Sequence, residues 1–146
     1  MKKILLFLVA IFSVGVFVAS ADNDKLIDKS QLPEQAQQFI NSHFAGVKLT
    51  YAKEECSIFF SSYEVKLADG TKLEFSGKGE WEEVDCRFGE VPAAIIPQAI
   101  KEYIDKNFAG EKVLMIERDR NDYEVKLSNR LELKFDKDLK IYDIDD

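Results

Sequence analysis

Few side chains of this sequence are suited to serve as a catalytic base or nucleophile. His43 is the only histidine, and the matching position of an internal repeat, described below, holds Asn107. A lone histidine is a weak indication of catalysis, because a general base must lie next to the proton that it removes. The sequence contains no Gly-x-Ser-x-Gly, His-Glu-x-x-His or glycine-rich phosphate-binding motif. We therefore predict that His43 lies in the last turn of a helix, where it favours the helix dipole, and that the protein is not an enzyme.

The two cysteines, Cys56 and Cys86, form an even pair, which in an exported protein favours a disulfide. The strand order predicted below argues against an internal bond, because it places the two residues beyond opposite ends of the strands. A seven-residue strand spans about 23 Å, which is more than a disulfide can bridge. The sequence leaves open an internal disulfide, an intermolecular bridge and two free thiols.

Two acidic clusters raise the hypothesis of calcium binding. Their members are Glu80, Glu82, Glu83 and Asp85 in one, and Asp136, Asp138, Asp143, Asp145 and Asp146 in the other. An EF-hand loop needs glycine at its sixth position and glutamate at its twelfth. Counted from Asp136, the sixth position is Ile141 and the sequence ends before the twelfth. Carboxylates on an acidic surface are normally solvated, so we predict no metal site and no cofactor.

Three consecutive apolar residues precede a predicted strand and give the most suggestive binding signal. By the alternation of that strand, Phe59 shares the inward parity of Tyr63 and belongs to the core, whereas Ile58 and Phe60 point to the opposite, solvent face. An apolar pair on a charged face is a candidate contact patch. The alternative is that the pair is buried between two domains.

The N-terminus carries the pattern of a secretory signal peptide over residues 1–21. Lys2 and Lys3 precede an apolar run that is followed by Ala-Ser-Ala at 19–21. No later stretch is long enough to cross a bilayer, so we expect a periplasmic or secreted protein without membrane insertion after cleavage. The formal net charge of -7 becomes more negative once the leader is removed, which argues against nucleic acid or anionic lipid as a partner.

An internal repeat predicts the elements that position these residues. The sequence Tyr-Glu-Val-Lys-Leu occurs at 63–67 and again at 123–127, and residues 33–46 match 97–110. The first copy has four additional residues between Gly46 and Tyr63, where Ile58 and Phe60 lie. We assign repeat 1 to residues 22–86 and repeat 2 to residues 87–146.

Each copy begins with a pattern typical of a helix and continues with strand alternation. The apolar positions with helical spacing are Ala36, Phe39, Ile40 and Phe44, and Ile100, Tyr103, Ile104 and Phe108. Prolines precede both runs and glycines follow them. Four alternating strand segments then follow in each copy. The predicted fold class is α+β: two tandem units, each a helix packed on a four-stranded antiparallel meander.

The tandem arrangement resembles the PepSY-like, putative beta-lactamase-inhibitor-like family of exported proteins. The residues that carry the resemblance are Leu32-Pro33 and Ile96-Pro97, Phe-Ala-Gly at 44–46 and 108–110, both Tyr-Glu-Val-Lys-Leu strands, and the stretch 79–85 followed by Val91-Pro92. These motifs are structural rather than catalytic. The resemblance implies binding to another protein.

Two functional hypotheses follow. The first is an exported, non-enzymatic binding module that contacts or inhibits another envelope protein through the outer sheet face, with Ile58 and Phe60 as the contact residues. The alternative is a carrier that holds a small apolar ligand between the helix layer and the sheet, which would require a cavity of a few hundred cubic ångströms.

Overall fold

The computed structural model describes residues 24–146, and the predicted signal peptide at 1–21 lies outside the described residues. The order of elements is β1 (Lys25–Ile27), a 3-10 turn (Lys29–Gln31), α1 (Glu34–His43), β2 (Leu49–Cys56), β3 (Ser61–Leu67), β4 (Lys72–Ser76), β5 (Trp81–Asp85), a second 3-10 turn (Ala93–Ile95), α2 (Gln98–Asn107), β6 (Val113–Arg118), β7 (Asp122–Leu127), β8 (Glu132–Asp136) and β9 (Ile141–Asp145).

The described strands form one antiparallel sheet of nine strands, in which every strand lies beside its neighbours in sequence. The α+β class is confirmed, but the sheet does not divide into two sets of four. β5 pairs with β6, so the strands that follow α1 and those that follow α2 are continuous. β1 was not predicted, because three residues are too few to show strand alternation.

The N-terminal half (residues 24–86) and the C-terminal half (residues 87–146) share the same local geometry. Tyr63 lies opposite Phe75 in the first half, and Tyr123 lies opposite Phe135 in the second. Both halves also have a register shift at the corresponding point of their last hairpin. These equal registers are what a tandem-repeat interpretation of the sequence requires.

The helices follow the predicted periodicity and pack on one face of the sheet. In α1, Ala36 and Ile40 are buried, and Phe39 meets Phe75 edge-on with 5.6 Å between ring centroids. Ile100 and Ile104 are the buried residues of α2, in which Tyr103 meets Phe135 edge-on at 5.5 Å. Glycines with positive φ, Gly46 and Gly110, follow both helices, as left-handed residues at helix ends commonly do.

A single apolar core lies between the helices and the inner face of the sheet. Residues at alternate strand positions, such as Val65, Leu73 and Val125, are fully buried there. The segment that joins the halves is tied to β6, because the backbone N–H of Val91 donates to the carbonyl of Val113 at 2.8 Å. The opposite face of the sheet, here called the outer face, carries charged side chains, since successive strand residues alternate between the two faces.

Candidate protein-binding surface

Three large apolar side chains lie exposed in the turn between β2 and β3, which we call the tip (residues 57–60). The exposed fractions are 93% for Ile58, 89% for Phe59 and 70% for Phe60. The structure thus exposes Ile58 and Phe60, the two residues singled out from the sequence, and adds Phe59 between them.

Ser57 fixes the conformation of the tip. Its backbone N–H donates to the carbonyl of Phe60 at 2.9 Å. Its hydroxyl donates to the same carbonyl at 2.8 Å and accepts the N–H of Phe60 at 3.1 Å. Because these bonds satisfy the backbone locally, the apolar side chains are free to point away from the protein.

The prediction that Phe59 belongs to the core is wrong. Strand β3 begins at Ser61, so the alternation that places Tyr63 on the inner face does not extend to residue 59. For the same reason Ile58 and Phe60 lie at the end of the hairpin and not on the outer sheet face.

The four additional residues of the first half lengthen the hairpin and leave the turn unchanged. Ser57 N–H bonds to the carbonyl of Phe60, and Asp119 N–H bonds to the carbonyl of Asp122 in the same way at 2.9 Å. The pairs Glu55↔Ser62 and Cys56↔Ser61 extend β2 and β3, whereas the corresponding ladder of β6 and β7 stops at Arg118↔Tyr123. Two extra residue pairs carry the tip roughly 7 Å further from the sheet.

A groove of about 940 Å³ adjoins the tip, at the end of the sheet where three turns meet. The turns are the tip, residues 77–80 and residues 119–121. The aromatic residues of its lining are Phe60, Trp81 and Tyr123. The apolar tip is therefore continuous with a concave, partly aromatic surface.

Trp81 and Arg118 join the two halves in the floor of this groove. The guanidinium carbon of Arg118 lies 4.2 Å from the centroid of the Trp81 ring, within the range of a cation–π contact. Arg118 Nε also donates to the backbone carbonyl of Trp81 at 2.6 Å. Sequence reasoning missed this pair, although one signal was present: the position that matches Arg118 in the first half is Glu54.

The groove holds basic side chains in an otherwise acidic protein. Lys78, Arg118 and Arg120 line it, and none of the three forms an ion pair with a carboxylate of residues 24–146. Partial burial and the nearby Glu74 and Asp119 carboxylates raise the pKa of Glu82, another lining residue. The groove therefore offers both hydrogen-bond donors and acceptors around its aromatic residues.

A row of glutamates crosses the middle of the outer face. The residues paired in successive strands are Glu64, Glu74, Glu83, Glu117 and Glu124. Lys72 forms 2.9 Å ion pairs with both Glu74 and Glu83. Loss of water contact, followed by the neighbouring Glu83 and Glu124, raises the pKa of Glu117. Loss of water contact and Glu132 likewise raise the pKa of Glu124, partly offset by Lys134.

Both cysteines are free thiols. Cys56 is exposed at the tip end of β2, where its Sγ lies 3.8 Å from the Ser61 hydroxyl. Cys86 is buried beyond the other end of the sheet, where it accepts a 3.8 Å hydrogen bond from Thr71 Oγ1. Burial raises the pKa of the Cys86 thiol. Of the possibilities left open by the sequence, the structure therefore contains the two separate thiols.

The remaining sequence candidates have structural roles in this fold. His43 lies in the last turn of α1, with its ring centroid 4.7 Å from that of Phe39. Asp136 accepts the N–H groups of Asp138 and Lys140 and so closes the turn before β9. Within the part of the chain that the structure describes, no group of three or more acidic, histidine or cysteine side chains is arranged to hold a metal ion.

Comparison with known proteins assigns the family. A family model described as "Putative beta-lactamase-inhibitor-like, PepSY-like" matches residues 61–143. The chain belongs to this family. The resemblance seen in the sequence is thereby confirmed. The family description is inhibitor-like and indicates no catalytic activity. No protein with a curated description matches the sequence.

Solved structures of similar proteins locate this PepSY-like chain in the periplasm. One, described as a "putative calcium-regulated periplasmic protein" from Bacteroides thetaiotaomicron, is 54% identical with a TM-score of 0.84, and the match covers 86% of this chain and 99% of that one. Two others, both described as periplasmic proteins of Bacteroides vulgatus, are 50% and 44% identical, with TM-scores of 0.84 and 0.80. Their matches cover 86% and 84% of this chain and 99% of each of theirs. The predicted location is thus confirmed. No helix among residues 24–146 is long and apolar enough to cross a membrane.

Proposed function

We propose that this PepSY-like protein is a non-enzymatic binding module that contacts or inhibits another envelope protein through the tip. The observation that carries the proposal is the exposure of Ile58, Phe59 and Phe60 side by side on an extended hairpin. Contiguous exposed apolar residues are unusual on a soluble protein and commonly mark an interaction site. Aromatic anchors that enter a pocket of the partner supply much of the energy of many interfaces.

The hairpin is suited to insertion. Its turn is closed by the bonds of Ser57, so little backbone order has to be gained on binding. Its two additional residue pairs raise the apolar side chains above the neighbouring turns. The partner therefore needs a concave apolar site, with the polar rim supplied by groove residues such as Lys78 and Arg120.

A second candidate is the binding of a small apolar ligand, and the groove favours it. Its volume of about 940 Å³ is of the size that small-molecule sites have. In this version the ligand stacks on Trp81 and Tyr123 in the groove, not between the helices and the sheet. Arg118 supplies a hydrogen-bond donor beside the Trp81 ring.

Capture of partners by the mature chain tests the proposal. The chain from Asp22 onward is immobilised, incubated with envelope extract of the source bacterium, and its bound proteins are identified by mass spectrometry. We expect Phe60→Glu to weaken capture of a reproducible partner at least about tenfold, because loss of a central aromatic commonly costs 2 kcal/mol or more. The stability of the variant should stay within about 0.5 kcal/mol of the wild type, as is usual for surface positions.

Phe88→Glu is the matched control, since Phe88 is 79% exposed and lies at the opposite end of the sheet. It makes the same chemical change without touching the tip, and we expect capture to be unaffected. Equal loss in both variants would mean that added charge, not the tip, weakens binding. Unchanged capture by Phe60→Glu would place the binding surface elsewhere.

Ile58→Glu separates the two candidate functions, because Ile58 belongs to the tip and does not line the groove. A protein partner should be lost from this variant, whereas a groove ligand should be retained and should be lost from Trp81→Ala. Each capture is run with calcium and with a chelator, because one similar protein is described as calcium-regulated.

A further inference from the structure

The last strand of the sheet, β9, has a neighbour on only one side within the described residues. It pairs with β8 through Leu133↔Ile144 and Lys134↔Asp143. The inner face of β9 is incompletely covered, because Ile144 keeps 45% of its surface exposed. An edge strand also leaves half of its backbone donors and acceptors without strand partners, and these can receive an additional strand.

β5 is the counterpart of β9 and shows what such an additional strand does. Leu73 lies opposite Val84 and Phe75 opposite Trp81, in the registers that β8 and β9 repeat. On its far side β5 accepts β6, with Val84 opposite Ile116. Val84 is then 0% exposed. The exposure of Ile144 therefore measures what the missing neighbour of β9 leaves uncovered.

The opposite edge of the sheet follows the same rule. β2, the counterpart of β6, is covered by β1, and Ile27 lies opposite Ala52. Thus the central inward residue of β2, like those of β5 and β6, has an apolar residue beside it. Ile144 of β9 has one only on the side of β8.

The features that normally protect an edge are present in β9 but do not prevent pairing in this fold. β9 is short, contains a register shift relative to β8 and carries Asp143 and Asp145, all of which discourage edge-to-edge association. β5 has the same length, the same register shift and its own acidic residues. It nevertheless pairs with β6.

The charges beside β9 define the chemistry of the occupant. Asp143 and Asp145 face the outer side, and both share the ammonium group of Lys134, at 3.4 and 2.7 Å. A second copy of β9 would bring the same two aspartates against each other, and like charges on directly opposed strands are destabilising. A strand with basic residues at these positions would be attracted instead.

We propose that the free edge of β9 binds an extended segment of another protein as an additional antiparallel strand. The segment places an apolar residue opposite Ile144 and lysine or arginine opposite Asp143 and Asp145. This edge is separate from the tip, so the proposal does not rest on the function proposed above. Main-chain hydrogen bonds supply affinity in such strand addition, and alternate side chains supply specificity.

The test uses the chain from Asp22 onward and a short peptide with blocked ends in which lysine alternates with isoleucine. We expect saturable binding in titration calorimetry, with new protection of β9 amides from hydrogen exchange. The same peptide with N-methyl groups on alternate backbone nitrogens keeps its charge and its side chains but cannot form the ladder. We expect its binding to be at least tenfold weaker.

Paired charge reversals provide the matched control. The double variant Asp143→Lys, Asp145→Lys should lose peptide binding at least tenfold, whereas Glu102→Lys, Asp105→Lys on α2 should not, although its net charge is the same. The proposal is overturned if N-methylation leaves binding unchanged, if both double variants lose binding equally, or if protection appears at β1 instead of β9. It is also overturned if sedimentation shows a dimer of the wild type that the β9 variant abolishes, because the edge would then bind a second copy.

Discussion

The two halves of the sheet have the same framework but opposite chemistry at their first hairpin. Both turns are closed by the same backbone hydrogen bond. The first half places Ile58 and Phe59 in that turn, on a hairpin longer by two residue pairs, whereas the second half places Arg120 and Asn121 there. The comparison shows that the framework does not require apolar residues at this turn. The tip is therefore best explained by binding.

The strongest test of the comparison is the aromatic core that the halves share. Phe75→Ala and Phe135→Ala should each lower the free energy of unfolding by about 3–5 kcal/mol, because both rings are fully buried. Urea denaturation monitored by circular dichroism gives both values. We expect the two losses to agree within about 1 kcal/mol, and a much smaller loss for Phe135 would show that the halves are not energetically equivalent.

A smaller effect is expected from two glycines that look alike in their backbone angles. Gly79 has φ +86°, and an added Cβ would lie 2.8 Å from Pro33 Cβ and 3.0 Å from the Ala36 nitrogen. Gly110 has φ +87° but nothing within 4 Å of that position. Gly110→Ala should cost about 1–2 kcal/mol, the penalty of a left-handed residue with a side chain.

Gly79→Ala should cost at least about 1 kcal/mol more than Gly110→Ala, since α1 must also move away from the turn. Thermal melts of the two variants measured side by side check this expectation. Equal losses would mean that the contact between the 77–80 turn and the start of α1 is easily relaxed.

The smallest predicted effect concerns a difference on the outer face. The position that holds Lys53 in the first half, within 3.7 Å of the Glu64 carboxylate, holds Glu117 in the second. Glu117→Lys should raise stability at pH 7 by about 0.5–1 kcal/mol, because it replaces a carboxylate between Glu83 and Glu124 by a cation. Glu117→Gln, which only removes the charge, should give a smaller increase.

The pH dependence of this variant gives a second check. Because the pKa of Glu117 is raised in the folded protein, ionisation of this group costs stability, and the cost disappears as the pH falls through the carboxylate range. The advantage of Glu117→Lys should therefore be largest at neutral pH and shrink toward pH 4. It should also shrink in about 1 M salt, which screens exposed charges. An advantage independent of both pH and salt would point to packing as its cause.

Sequence periodicity predicts most of the framework but not the candidate site. The helical spacing of Ala36 and Ile40 and the alternation of Tyr63 and Val65 each depend only on local geometry, so both were assigned correctly. The place of Phe59 depends on where the hairpin turns, and alternation alone does not reveal that point. The contact of Trp81 with Arg118 forms only because β5 pairs with β6, which a description of two separate meanders does not include.

The order of the strands has a consequence for how the protein is made. A periplasmic chain emerges from its translocation channel N-terminal end first. Every strand in this sheet pairs with strands adjacent to it in sequence, so each can join the strand already delivered without waiting for a distant segment. Such local connectivity is associated with rapid folding. The growing sheet therefore has one temporary edge at a time, and translocation ends with that edge at β9.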